Sequence, residues 1–283
     1  MREQGHLRLT ILCENVVGNL AGVGEHGLSV YIETQDGPYL FDTGSGTGIL
    51  ANSATFGKDL RPVKKIFLSH GHYDHTGGLR DVLGVRGAVD VCGHPSIFDL
   101  KYSISREGGE VKRRFIGIPY RKEMLEAAGA VFRLERGFRE IEAGIYMTGE
   151  IPRSVPFETG DPRLHVKKGD DFEVDTVPDD GALVISTPKG LVVILGCAHA
   201  GTVNTLEYIS KNLPGEPFLA LIGGTHWGFL SDDAVQSSIE RVKEMDVGTI
   251  GVSHCTGIAV ASRLMGEFGK GYFYASVGSV FEV

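Results

Sequence analysis

The feature that most constrains the fold is a short apolar run that leads directly into a cluster of metal-binding residue types. Ile66–Leu68 is followed, after one serine, by His70-Gly-His72-Tyr-Asp74-His75. Imidazole and carboxylate groups are ligands of zinc, iron and manganese in proteins. Three histidines and an aspartate directly after a buried strand therefore predict a metal site at the strand end. We expect His70 and His72 to face one ion, and Asp74 and His75 to face a second.

Apolar runs of strand length recur along the chain, and several are apolar throughout, which is typical of strands buried between two layers. The predicted strands are Leu7–Cys13, Leu28–Glu33, Tyr39–Phe41, Ile66–Leu68, Val89–Cys92, Ile145–Met147, Ala182–Ser186, Leu191–Leu195, Phe218–Ile222, Thr249–Val252 and Tyr272–Val277. The predicted helices are Thr202–Leu213, Ser231–Met245 and Gly257–Phe268. This alternation predicts an α/β protein in which sheets are flanked by helices.

The organisation of the chain favours a single domain over residues 1–283. Hydrophobic residues make up 42% of the sequence, which is enough for a sizeable core, and there is neither a proline-rich linker nor a repeat. A more polar segment around 101–138 is predicted to be an insertion or a cap over one edge. A segment around 152–178 with four prolines is predicted to be a long loop that borders the site.

Charge and cysteine content exclude several classes of partner. The net charge is −8 and the one basic run is Lys112–Arg114, so we expect neither nucleic acid nor an acidic membrane as a partner. No apolar stretch approaches the roughly 20 residues of a membrane helix, and the N-terminus lacks the apolar core of a signal peptide. The four cysteines show no CxxC pair, which favours the cytoplasm: Cys13, Cys92, Cys197 and Cys255.

Three later histidines each follow a predicted strand and precede a predicted helix or turn. They are His199, His226 and His254. Because the ends of neighbouring strands converge at one edge of a sheet, we expect His199 and His254 to be metal ligands and keep His226 as a candidate. The remaining histidines are expected to be structural or at the surface: His94, His6, His26 and His165.

The run from His70 to His75 resembles the HxHxDH signature of the metallo-β-lactamase fold superfamily. Asp42, in Phe-Asp-Thr-Gly, resembles the aspartate-containing turn that precedes this signature, and His254 resembles the last histidine ligand. The resemblance spans essentially the whole chain. It implies an αββα sandwich of two mixed β-sheets flanked by helices, with a dinuclear metal site at one edge.

Further strings are similar to one subgroup of that superfamily. They are Cys13-Glu14-Asn15, Gly149-Glu150-Ile-Pro-Arg153, Asp179-Asp180-Gly181-Ala182, GCAHAG, GGTHW and HCTG. The subgroup is named for a dihydropterin ribofuranosyl-aminobenzene phosphate synthase, and many of its members are described only as predicted metal-dependent hydrolases.

The chain departs from the pattern of the superfamily in its second half. The position of the bridging aspartate falls on Cys197, and that of an earlier histidine falls near Glu150. We expect His199 to replace one of them as a ligand, with Cys197 beneath it as a small buried residue. Cys197, His226, Glu150 and Asp42 are retained as candidates for binding or supporting the metals.

The resemblance implies a metal-dependent hydrolase that directs a metal-bound hydroxide at a small, anionic, phosphorylated substrate. Two divalent ions are expected, zinc first, with manganese or iron as alternatives. Asp74 is expected both to bind metal and to accept a proton. Arg153 is expected to bind the substrate, because a guanidinium contacts two phosphate oxygens at once, and the Lys112–Arg114 run is a second candidate for this role.

Two other functions remain open at this stage. One is a synthase-type transferase that releases pyrophosphate. The other is an iron-binding redox or metal-sensing protein in which Cys197 and Cys255 respond to oxidants. The oligomeric state is left open.

Overall fold

The computed structural model describes residues 4–283 and shows two seven-stranded sheets and one four-stranded sheet. The strands are β1 Leu7–Cys13, β2 Ser29–Thr34, β3 Gly37–Phe41, β4 Lys65–Phe67, β5 Val89–Gly93, β6 Lys101–Glu107, β7 Glu110–Phe115, β8 Ala130–Leu134, β9 Arg139–Glu142, β10 Ile145–Met147, β11 Leu164–Lys168, β12 Asp171–Val174, β13 Ala182–Thr187, β14 Gly190–Leu195, β15 Phe218–Gly224, β16 Thr249–Ser253, β17 Tyr272–Tyr274 and β18 Val280–Glu282. The helices are α1 Ile49–Thr55, α2 Tyr73–Thr76, α3 Leu79–Arg86, α4 Lys122–Ala127, α5 Thr202–Asn212, α6 Asp232–Glu244 and α7 Ile258–Phe268.

Both large sheets are mixed. The first has the order β18-β1-β2-β3-β4-β5-β8 and is antiparallel as far as β3, then parallel. The second has the order β17-β16-β15-β14-β13-β10-β9 and is parallel from β17 to β14, then antiparallel. In both sheets, the loops that carry the predicted metal ligands follow strands of the parallel part.

The strand β14 shows why apolar runs appear without alternation. Leu191, Val193 and Leu195 pack in a cluster with helices α5 and α6, while Val192 and Ile194 pack in a cluster shared with the first sheet. Because both faces of the strand are buried, both sets of side chains must be apolar. A third cluster packs α1, α3 and α4 against the outer face of the first sheet. The layers are thus helix, sheet, sheet and helix, and the predicted αββα class is confirmed.

The α-helices within residues 4–283 are short, the longest being the 13 residues of α6. Its N-cap, Ser231, accepts a hydrogen bond from the Ala234 backbone, and Asp232 and Asp233 occupy the first turn. No helix within residues 4–283 is long and apolar enough to cross a membrane.

The segments predicted to be an insertion and a long loop contribute to one small sheet, of order β12-β11-β6-β7. The predicted loop around 152–178 therefore contains two strands. They were missed because this sheet is polar: every residue of β7 and three of the four in β12 are exposed. Pairing between β6 and β11, which are distant in sequence, holds the sheet together. The strand β8, also in the predicted insertion, joins the edge of the first large sheet.

Candidate metal centre

The candidate metal centre lies where strands of both large sheets end. The His70–His75 run follows β4, and three single-histidine loops follow β14, β15 and β16. Two groups of potential ligand atoms lie within 4.8 Å of one another: His70, Cys197 and His199 form one, and His75, Cys197 and His254 form the other. Cys197 belongs to both groups. Residues from three separate segments are thus brought to one point by the topology of the sheets: the His70–His75 run, the loop after β14 and the loop after β16.

The first loop is shaped by a glycine and a buried carboxylate. Gly71 lies so close to the Ile97 carbonyl that an added β-carbon would sit 2.1 Å from its oxygen. The Gly71 amide donates a hydrogen bond of 2.7 Å to Asp179 Oδ2. His72 then precedes α2, which places Asp74 in the first helical turn. This tight turn brings the side chains of His70, His72, Asp74 and His75 into the centre.

Asp42 fixes the orientation of two imidazoles. His75 Nδ1 lies 2.7 Å from Asp42 Oδ2, which leaves Nε2 facing His254 Nε2 at 3.3 Å and Cys197 Sγ at 3.2 Å. Ser69 Oγ donates to Asp42 at 2.7 Å and lies 2.9 Å from His70 Nδ1. Burial lowers the pKa of His75, but the Asp42 carboxylate outweighs it and raises this pKa overall. Asp42 therefore supports the centre from behind, as outer partners of metal-binding histidines do.

Asp74 remains ionised although it is buried. Its Oδ2 lies 3.3 Å from His254 Nε2 and 3.2 Å from His26 Nε2. Burial raises the pKa of Asp74, but these two imidazoles lower it well below its usual value. His26, which we expected at the surface, is indeed exposed on most of its ring yet contacts the centre. Its sequence context carried no signal of this contact.

The loops of the second half are held by their backbones. Ala198, His226 and His254 have left-handed φ values of 53°, 59° and 53°. Such conformations cost about 1–3 kcal/mol each for residues other than glycine and cluster at functional sites. Glu14 accepts a 2.6 Å hydrogen bond from the His254 amide, and Asn15 Oδ1 lies 2.9 Å from His254 Nδ1. Two residues of the Cys13-Glu14-Asn15 string thus hold His254 in place.

Several imidazole nitrogens are buried without a hydrogen bond. His72 Nε2 and both ring nitrogens of His199 and His226 have no partner among residues 4–283. Burial lowers the pKa of His72 to about 3 and the pKa values of His70 and His199 well below the usual value. Buried polar atoms are normally hydrogen-bonded. A neutral imidazole whose unprotonated nitrogen makes no hydrogen bond is the form that binds metal. The donor set therefore fits divalent transition metals.

Two adjacent aspartates tie both ligand loops to the body of the protein. Asp179 holds Gly71, and Asp180 Oδ2 accepts a hydrogen bond of 2.9 Å from the Ala200 amide, next to His199. Asp179 Oδ1 also pairs with the fully buried Lys101 at 2.7 Å. Burial raises the pKa of Asp179 and disfavours the charged form of Lys101. The two groups still stay paired, because the Lys101 ammonium contacts two carboxylates, those of Asp175 and Asp179. The sequence marked this aspartate pair only through its family resemblance.

Two residues that the sequence suggested for the site, Glu150 and Arg153, do not line the cavity at the candidate metal centre. Glu150 has a half-exposed side chain whose Oε2 lies 3.9 Å from both Arg136 and His94. The Arg153 guanidinium donates 2.7 Å hydrogen bonds to the carbonyls of His199 and Thr176. Within the described chain, both residues line a neighbouring cavity and not the one at the histidines. Arg153 is occupied by backbone oxygens, so it supports the His199 loop from the far side.

A cavity of about 410 Å³ opens onto the candidate centre. Two arginine–aromatic pairs line it. Arg114 lies 5.2 Å from the Tyr73 ring centroid and donates to the Tyr73 hydroxyl, and Arg163 lies 5.0 Å from that of Phe229. Both arginines come from the small sheet or its approach. The polar insertion therefore forms one wall of the cavity.

Comparison with known proteins identifies the family of this chain. Residues 22–213 match the family model of the metallo-beta-lactamase superfamily. The chain is 29% identical, over 97% of its length and 96% of the relative's, to the 7,8-dihydropterin-6-methyl-4-(beta-D-ribofuranosyl)-aminobenzene-5'-phosphate synthase of Methanocaldococcus jannaschii. It is 28% identical in sequence to Tm1679, a metal-dependent hydrolase of the beta-lactamase superfamily. The crystal structure of that protein superposes with a TM-score of 0.82 over 98% of this chain and 99% of the other. The chain therefore belongs to the metallo-beta-lactamase superfamily.

Proposed function

We propose that this protein is a hydrolase that uses two divalent metal ions, zinc first, on a small phosphorylated substrate. The observation that carries the proposal is the pair of donor groups that meet at Cys197. His70, His72 and His199 would hold one ion, and Asp74, His75 and His254 would hold the other. Two ions in such a site lower the pKa of a water molecule and polarise a phosphoryl oxygen.

The cysteine between the two groups changes what we expect of the ligands. From the sequence, we expected His199 to bind metal and Cys197 to lie beneath it. Cys197 Sγ lies within 4.8 Å of ligand atoms of both groups. A thiolate is a good zinc ligand. We therefore propose Cys197 as a ligand together with His199.

Asp74 is the proposed proton acceptor. Its carboxylate faces the cavity and remains ionised, because His254 and His26 both contact Oδ2. During hydrolysis, the attacking water forms the new P–O bond, the bond to the leaving group breaks, and the water's proton passes to Asp74 Oδ2. His26 positions this oxygen from the exposed side.

The substrate's anionic group is proposed to bind at the cavity mouth. Arg114 lines the cavity, whereas Arg153 donates its hydrogen bonds to backbone carbonyls behind His199. Arg163 also lines the cavity but pairs with Asp161 at 2.6 Å, so part of its charge is neutralised. We assign the main anion contact to Arg114, since a guanidinium matches the geometry of a phosphate.

The four cysteines are free thiols, which fits the cytoplasm.

A transferase is the second candidate, and the relative from Methanocaldococcus jannaschii favours it. In a synthase of that kind, an arylamine and not water would displace pyrophosphate. The Tyr73 and Phe229 rings at the cavity mouth could contact a planar pterin ring. The same metals and the same arginine would then stabilise the leaving group.

A substrate panel tests the proposal with protein loaded with zinc or manganese. Phosphomonoester and phosphodiester probes should be hydrolysed faster than β-lactams. A His70→Ala/Asp74→Asn double variant should lose most of its metal by elemental analysis and nearly all activity. His94→Ala, a buried histidine outside both donor groups, is the control.

Two results would overturn the hydrolase. One is full metal content and activity in the double variant. The other is faster cleavage of a cephalosporin than of every phosphate ester. Release of pyrophosphate from a pterin pyrophosphate only when an arylamine is present would establish the transferase instead.

A further inference from the structure

A third group of metal-binding atoms lies beside the two groups at the centre. The potential ligand atoms of Cys197, His226 and Cys255 all lie within 4.8 Å of one another. We propose that these residues form a sulfur-rich site for a soft divalent ion such as zinc, adjoining the dinuclear centre and sharing Cys197 with it. His226 and Cys255 belong to neither of the other two Cys197 groups.

His226 is held in place as a ligand would be. Both of its ring nitrogens are buried, and neither has a hydrogen-bond partner within the described part of the chain. Its backbone has a φ of 59°, a conformation that a residue with a β-carbon adopts at a cost. A buried histidine with a purely structural role would pair at least one ring nitrogen. The fold therefore brings the ring, with both nitrogens free of hydrogen bonds, within 4.8 Å of the Cys197 and Cys255 sulfurs.

The Cys255 thiol is packed against the other two members of the group. Its sulfur accepts a hydrogen bond from the His226 amide at 3.3 Å and lies 3.4 Å from the Cys197 carbonyl oxygen. A β-carbon on Gly224 would approach this sulfur to 2.6 Å. Only glycine at that position leaves room for the thiol. The ends of β14, β15 and β16 thus each contribute to one compact group.

The chemistry of this group differs from that of the histidine-rich centre. Two sulfurs and one imidazole are a common zinc ligand set, and a three-ligand site leaves the fourth position open to water or another ligand. Thiolates favour soft ions, whereas imidazole and carboxylate also accept manganese and iron. All three residues line the cavity that opens onto the candidate metal centre, so an ion can reach them from solvent. We expect the site to select zinc, cobalt or cadmium over manganese.

Titration of the full-length metal-free protein with cobalt(II) tests the proposal, because thiolate-to-cobalt charge transfer absorbs in the near ultraviolet. Because Cys197 is also a proposed ligand of the dinuclear centre, the first two equivalents should give part of this absorption. Wild-type protein should then bind a third equivalent whose binding raises the absorption further. Cys255→Ser and His226→Ala should each weaken that equivalent by about tenfold or more and leave the first two in place. Cys92→Ser, which removes a buried thiol of the sandwich core, should behave as wild type.

The outcome does not depend on the hydrolase assignment. The His70→Ala/Asp74→Asn variant should keep the charge-transfer band of the third site even when it loses the other ions. Unchanged stoichiometry and absorption in both Cys255→Ser and His226→Ala would overturn the proposal. If one variant fails to fold by circular dichroism, the other still decides the question, and manganese, which should not compete for the site, provides a second readout.

Discussion

The two halves of the candidate centre orient the same kind of side chain in different ways. In the first half, one continuous run carries the ligands, and buried carboxylates hold it: Asp42 contacts the His75 ring, and Asp179 holds the Gly71 amide. In the second half, separate loops carry His199, His226 and His254, and each loop has a residue with a left-handed φ, namely Ala198, His226 or His254. Side-chain partners are removed by single substitutions, whereas a backbone path is set by a whole loop. The first half should therefore be more sensitive to changes in single outer residues.

The largest effect is expected beneath the first half, at Lys101. This fully buried lysine pairs with Asp175 at 3.0 Å and with Asp179 at 2.7 Å. Lys101→Met leaves two buried carboxylates without a cation, which should lower the free energy of unfolding by about 3–5 kcal/mol. Urea denaturation of the full chain measures this loss.

The matched control for this change is Lys65→Met. Lys65 also contacts two carboxylates, those of Asp90 and Glu142, but these are partly exposed. The control should cost about 1 kcal/mol or less. Equal losses in the two variants would show that burial of the Lys101 network does not stabilise the first half.

A smaller effect is expected from Asp42→Asn. The asparagine keeps one acceptor oxygen but loses the charge that orients His75 and the Ser69 hydroxyl. Metal affinity, measured by competition with a coloured chelator, should fall by about 10–100-fold. Asp90→Asn, on the outer part of the same sheet, should leave the affinity unchanged. An affinity within twofold of wild type in Asp42→Asn would remove the role assigned to this carboxylate.

The smallest effect is expected from Asp180→Asn in the second half. Asp180 holds the backbone amide of Ala200, and an amide oxygen can accept that bond equally well. Burial raises the pKa of Asp180 to about 6, so the loss of its charge is not costly. Metal affinity in the same assay should fall by less than about tenfold. A loss as large as that of Asp42→Asn would break the distinction between the two halves.

The sequence by itself determined the architecture and the first half of the centre. Apolar runs record which strands have both faces buried, because that condition excludes polar side chains at every position of β14. The run from His70 to His75 is contiguous, so its spacing is visible without a fold. These features involve residues that are neighbours in the sequence, so they can be recognised without the fold.

Tertiary structure alone decided how the remaining residues meet. The central place of Cys197, the contact between His26 and Asp74, and the turning of Arg153 toward backbone carbonyls all join segments far apart in the chain. The small sheet was missed for the same reason, since its polar strands are defined by pairing between β6 and β11. Such contacts arise where strands from two sheets end at one edge, and no spacing along the sequence encodes the distance across that edge.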